Sequence, residues 1–193
     1  MENLIESLWI LQERLRREGI LSAAVGGIAL SVWGEPRATR DVDVRILLGR
    51  EDAIRLLHAL TDEYVFLADD PPETLRKRGF LFIQDQAGVR LDLLLADTTF
   101  DQEAVRRARP VEIGPGKVIY VCSPEDLLIY KLISTRPRDH EDAASIVHRQ
   151  GDALDDEYIE HWLRQFEQAL DDSTLLEEYR RLRRESPISK EMQ

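Results

Sequence analysis

Residues 41 to 46 read Asp-Val-Asp-Val-Arg-Ile, a strict alternation of polar and apolar side chains. That period of two belongs to a β-strand and not to a helix. Val42, Val44 and Ile46 therefore turn toward a core, and Asp41, Asp43 and Arg45 share the opposite face. The segment demands a sheet with one buried side. It also demands a reason for two carboxylates one strand repeat apart, because like charges crowd each other unless a cation sits between them. Hard carboxylate oxygens suit Mg²⁺ or Mn²⁺, which keep water or substrate phosphate in their remaining positions.

A third acid lies further along, in Arg90-Leu91-Asp92-Leu93-Leu94-Leu95. Leu91, Leu93 and Leu95 point one way, and Asp92 points the other way with Arg90. An uncompensated charge in so apolar a strand is costly. Three carboxylates on neighbouring strands would suit a two-metal clamp for displacement at phosphorus. Upstream, Leu21 to Val25 reads as a buried strand, Gly26-Gly27 as a tight turn and Ile28 to Trp33 as a short helix stopped by Gly34 and Pro36. Backbone N–H groups at such a helix start can receive a phosphate without side-chain obstruction. Each motif has a plainer reading by itself: a close-packed turn for the glycines, a surface pair for Asp-x-Asp.

The remaining pattern is mixed. Leu4, Ile5, Leu8, Leu11 and Leu15 recur at helical spacing, with Gly19 as a stop. Helix is expected at 51–60, 72–78 and 102–107, strand at 64–67, a hairpin from 80–83 and 89–95, and a strand pair around Gly114-Pro115-Gly116. Beyond Cys122 every segment reads helical. Ser123-Pro124-Glu125-Asp126 is a helix start, with further helices near 139–149, 156–169 and 173–184. The expected fold is α+β (α/β): a mixed sheet with flanking helices over 1–122, then a small helical bundle over 123–193.

The 193 residues carry a formal charge of −11, which argues against nonspecific binding of duplex DNA. Local clusters such as Arg76-Lys77-Arg78 remain open to an anion, or to pairing with acids on their own helix faces. The uncharged, largely apolar stretch that contains Ser22 to Gly34 is too short and too rich in glycine for a membrane helix. The N-terminal residues lack the pattern of a secretory signal, so the expected compartment is the cytoplasm. The single cysteine, Cys122, reads as a reduced, buried thiol. His58, His140, His148 and His161 show no catalytic spacing.

Val25-Gly26-Gly27-Ile28, Arg37-Ala38-Thr39-Arg40-Asp41-Val42-Asp43 and Leu91-Asp92-Leu93 together resemble the nucleotidyltransferase superfamily related to DNA polymerase β. The Arg-x-Thr-x-Asp-x-Asp form is similar to a bacterial branch that includes the abortive-infection AbiEii-type toxins. That branch also carries a helical lysine followed by an Arg-x-x-Asp-type segment, matched here by Lys131 and by Arg136 to Asp142. The resemblance spans about residues 20–148. It implies Asp41, Asp43 and Asp92 as metal ligands and catalytic groups, with Gly26, Gly27, Thr39, Arg40 and Lys131 on the nucleotide. It gives Lys131 the neutralisation of triphosphate charge. It gives Asp139 the orientation or deprotonation of the acceptor, or pairing with Lys131 or an arginine, and Asp142 one helical turn later is open to the same readings. Helix capping is the plain alternative for both, and a stem laid on apolar surface is that for Lys131. Where the family's best-known turn has Gly-Ser, this chain follows its second glycine with Ile28, so a hydroxyl contact to phosphate is missing.

The implied function is metal-dependent transfer of a nucleoside monophosphate from a nucleoside triphosphate to an acceptor hydroxyl, on transfer RNA, a protein or a small molecule. A toxin role would bring a cognate antitoxin as partner. The other readings are a nucleotide- or partner-binding module of the same fold without turnover, and a glycosyltransferase using Asp-x-Asp, for which 193 residues leave little room.

Overall fold

The computed structural model describes residues 2–185, which gather by contact into two compact units. One comprises the chain up to Ile28 together with Ala38–Cys122, and the other comprises Ala29–Arg37 and the chain from Ser123 onward.

The first unit opens with α1 (Glu2–Arg17), which buries Leu8, Leu11 and Leu15 and ends just before Gly19, at φ +67°. Then come β1 (Leu21–Ala24), the start of α2 (Gly26–Trp33), β2 (Asp41–Leu47), α3 (Ala53–Leu60), β3 (Tyr64–Phe66), α4 (Pro71–Arg78), β4 (Phe80–Asp85), β5 (Arg90–Leu95), α5 (Thr99–Arg106), β6 (Arg109–Gly114) and β7 (Lys117–Val121). A 3₁₀ turn at Arg50–Asp52 occupies the first residues expected of α3. Helix α5 begins earlier than the apolar periodicity indicates. Thr98 and Asp101 form a reciprocal capping box that fixes its first turn.

The seven strands form one mixed sheet in the order β3-β4-β5-β2-β1-β7-β6. Strand β2 pairs parallel with β5 and antiparallel with β1, and β1 pairs parallel with β7. On one face Val42, Val44, Ile46, Leu91, Leu93 and Leu95 are all buried. The alternation forces Asp41, Asp43, Arg90 and Asp92 onto the other face. Gln12 of α1 clamps β7 by donating to the Tyr120 carbonyl at 2.8 Å and accepting from the Tyr120 N–H at 2.8 Å.

In the second unit α6 (Pro124–Leu132), α7 (Pro137–Gln150), α8 (Asp156–Leu170) and α9 (Leu175–Glu185) pack around Leu128, Ile129, Ile146, Ile159, Leu163 and Tyr179. Ser123 caps α6 by accepting from the Asp126 N–H at 3.1 Å. Residues Ala29–Arg37 are tied to α7: Glu35 N–H donates to Ser145 Oγ at 3.1 Å and Gln150 donates to the Trp33 carbonyl at 2.7 Å. Several arginines pair within their own helices, Arg16 with Glu13, Arg181 with Glu178 and, in the cluster Arg76-Lys77-Arg78, Arg76 with Glu73. The Cys122 side chain is buried and takes part in no disulfide among the described residues. No helix among the described residues is long and apolar enough to cross a membrane.

Candidate active site

The parallel register of β2 and β5 sets Asp43 directly beside Asp92 and Asp41 beside Arg90. Neighbouring strands lie roughly 4.8 Å apart, so the carboxylates of Asp43 and Asp92 stand on adjacent positions of one half-exposed face. Asp41 follows one repeat along β2. Thr39, at the entrance to the strand, donates from Oγ1 to Asp41 Oδ1 at 3.3 Å.

The two glycines are not a separate turn before a helix: they are the first residues of α2. Gly26 takes a left-handed φ of +61°, a region that side chains with a Cβ rarely adopt. A Cβ on Gly26 would overlap the Asp43 carboxylate, with its Cγ only 2.8 Å away. A Cβ on Gly27 would lie 2.6 Å from Thr39 Oγ1 and 2.7 Å from Thr39 Cβ. The helix start, Asp43 and Thr39 thus press against one another with no room for a side chain at either glycine. The Val25 N–H donates to the Asp43 carbonyl at 2.9 Å, which locks β1 to β2 at this point.

Asp92 has an established partner. Arg90 grips both its oxygens, Nε to Oδ1 at 2.6 Å and the terminal nitrogen to Oδ2 at 2.9 Å. The same guanidinium lies 4.2 Å from the centre of the Phe82 ring. The hydrogen bond to Asp92 raises the Arg90 pKa, with further raising from the charges of Asp92, Asp41 and Asp43. Among the described residues no three acidic, imidazole or thiolate side chains already converge as a metal cage. Asp41, Asp43 and Asp92 nevertheless fit a hard divalent cation in donor type and in sharing a face. To join such a set, Asp92 would have to give up Arg90.

Lys131 and Asp139 belong to the second unit, where they form a buried cluster. The Lys131 ammonium is 2.6 Å from Asp139 Oδ1 and 2.8 Å from Asp142 Oδ2, and all three residues are at most 5% exposed. Arg37 grips Asp142 with Nε to Oδ1 at 3.0 Å and a terminal nitrogen to Oδ2 at 3.0 Å. Asp139 also accepts from Ser134 at 2.7 Å and from Arg136 at 2.7 Å. Burial would raise the Asp139 pKa, but the hydrogen bonds from Lys131 and Ser134 and the charges of Lys131 and Arg136 outweigh it and hold it at about 2. Of the readings open for Asp139, pairing with Lys131 and an arginine is the one observed, and Asp142 does the same. Arg40 is exposed.

Sequence reasoning assigned no role to Arg90 or Arg37. Arg90 was signalled by its spacing, since residues i and i+2 of a strand share a face. Arg37 pairs across more than a hundred residues, and no local pattern reports that.

A mixed sheet carrying Asp-x-Asp beside a third acid, with a glycine helix start against it, defines a nucleotidyltransferase fold. Solved structures agree. The chain is similar to an antigenic nucleotidyltransferase-like protein from Paracoccidioides brasiliensis, with 18% identity over 91% of this chain and 93% of that one and a TM-score of 0.53. It is similar to ANT(2″)-Ia, crystallised in complex with adenylyl-2″-tobramycin, at 12% identity over 86% and 98% of the two chains and a TM-score of 0.55. The lincosamide antibiotic adenylyltransferase LnuA, in its lincomycin-bound structure, matches at 14% identity over 73% and 94% with a TM-score of 0.50. No curated protein matches the sequence. The family described as "Nucleotidyltransferase of unknown function (DUF6036)" matches residues 3–183, and the chain belongs to it.

Proposed function

We propose that this nucleotidyltransferase is metal-dependent and moves a nucleoside monophosphate from a nucleoside triphosphate to an acceptor hydroxyl. One observation carries the reading: the β2–β5 register sets Asp43 beside Asp92, with Asp41 on the same face and the Gly26-Gly27 helix start pressed against Asp43. Asp41 and Asp43 would hold Mg²⁺ or Mn²⁺, and Asp92 would complete the set. Bound there, the cation supplies charge neutralisation for the phosphate oxygens. The glycine start of α2 would offer its backbone N–H groups to a phosphate. Thr39 holds Asp41 in place. The acceptor oxygen bonds to the α-phosphorus as the bond to pyrophosphate breaks, and Asp92 takes the hydroxyl proton. Positioning and fixed charge do most of the work.

Lys131 is shared between two carboxylates and serves as a positioning group for α6 and α7. Contact with a triphosphate would require it to leave both. The setting implied by the AbiEii-type resemblance is a cytoplasmic toxin held by an antitoxin. The second reading, a nucleotide- or partner-binding module without turnover, is favoured by the Arg90 grip on Asp92.

The test incubates wild type and the Asp41→Asn/Asp43→Asn variant with each α-labelled nucleoside triphosphate, Mg²⁺ or Mn²⁺, and cell extract separated into RNA, protein and small-molecule fractions. Label in one fraction with wild type alone is expected, and it names the acceptor class. Folded, Mn²⁺-bound protein that labels nothing would favour the binding module.

A further inference from the structure

We infer that Arg90 is a built-in competitor for the cation site, closing Asp92 in the metal-free protein and releasing it when a divalent cation arrives. The inference rests on the metal-dependent reading above and concerns how that site is loaded. Both oxygens of Asp92 are committed to the guanidinium, at 2.6 and 2.9 Å. The Asp92 side chain is only 13% exposed, so a cation reaches those oxygens by replacing Arg90. Arg90 is the more exposed of the two, at 45%, and has room to swing away into solvent. It has a second resting contact: the Phe82 ring, 4.2 Å away, is itself packed against Phe80 at 5.0 Å between centroids. A guanidinium over an aromatic face is attracted by the ring's electron density, so the displaced side chain keeps a defined perch beside the site.

The register gives the arrangement its logic. Arg90 stands opposite Asp41, as Asp92 stands opposite Asp43. Without a cation, three carboxylates on one face repel one another, and one arginine from the same strand offsets part of that charge. With a cation bound, the same arginine becomes a like charge beside it.

The experiment measures Mn²⁺ binding without nucleotide, by the electron paramagnetic resonance signal of free Mn²⁺ at neutral pH, for folded wild type and variants. Arg90→Gln is expected to tighten Mn²⁺ about three- to tenfold, the scale of a half-exposed charged pair. Arg90→Lys keeps the charge but loses the two-pronged grip, so its affinity is expected between the two. Arg16→Gln, which removes a charge from α1, is expected to match wild type. Binding by Arg90→Gln no tighter than wild type overturns the inference, as does Arg90→Lys indistinguishable from wild type. If Asp43→Asn binds Mn²⁺ as well as wild type does, the metal reading itself fails and the inference falls with it. Binding lost in Asp43→Asn but unchanged in Arg90→Gln leaves the metal site standing and removes only the competitor.

Discussion

Replacing Lys131 by Met tests the buried cluster of the second unit. Methionine fills much of the same volume but removes the ammonium that lies 2.6 Å from Asp139 and 2.8 Å from Asp142. Leaving a buried charge without its partner typically costs about 3–5 kcal/mol. Here neither carboxylate is abandoned, because Asp142 keeps Arg37 and Asp139 keeps Arg136 and Ser134. The expected loss is therefore at the lower end, about 3 kcal/mol. At about 2–4 °C per kcal/mol for a protein of this size, the melting temperature falls by roughly 6–12 °C at pH 7. Acid should narrow the gap. The folded Asp139 pKa, about 2, lies below the ordinary 3.8, so its contribution is complete above 3.8 and is lost as the pH falls toward 2. Without Lys131 two of the causes that lower that pKa are gone, so it moves back up and the variant has less to lose in acid. Thermal melts from pH 7 down to pH 3 check both parts. A melting temperature within 2 °C of wild type at pH 7, or a gap that stays constant into acid, would refute the reasoning.

The glycine start and the α6 cap give two further expectations. Gly27→Ala should abolish transfer and lower stability by about 1–3 kcal/mol, the usual cost of overpacking, because its Cβ meets the stiff Thr39 side chain. Adding Thr39→Gly should recover part of the stability in denaturant melts but not the activity, and no recovery would place the clash elsewhere. Ser123→Ala should cost about 1–2 kcal/mol, the upper part of the capping range, since Ser123 is buried and also donates to Asp126 Oδ2 at 2.7 Å. A change below half that size, read from urea midpoints, would show that Tyr158, which donates to Asp126 at 2.6 Å, suffices to hold the helix start.

Most of the elements and the shared face of the acids follow from local residue order. Alternation from Asp41 to Ile46 and from Arg90 to Leu95 is a local property, and burying one face of a pleated strand puts the aspartates on the other. Ser123-Pro124 and Gly19 likewise act within one turn of chain, so the end of α1 and the start of α6 were legible. Which partner each side chain meets is fixed only on folding. Asp43 beside Asp92 depends on a parallel register between strands nearly fifty residues apart. Gly26 and Gly27 read as a turn from composition, but contact with Asp43 and Thr39 makes them the opening of α2. Ala29–Arg37 groups with the helices beyond Ser123 because Ser145, Arg149 and Gln150 bond to its backbone. Lys131 sits on a helix by its sequence, but the two carboxylates it meets come from α7, packed alongside. Local chemistry sets which face a side chain takes, whereas the charge it meets there is set by chain segments that only folding brings together.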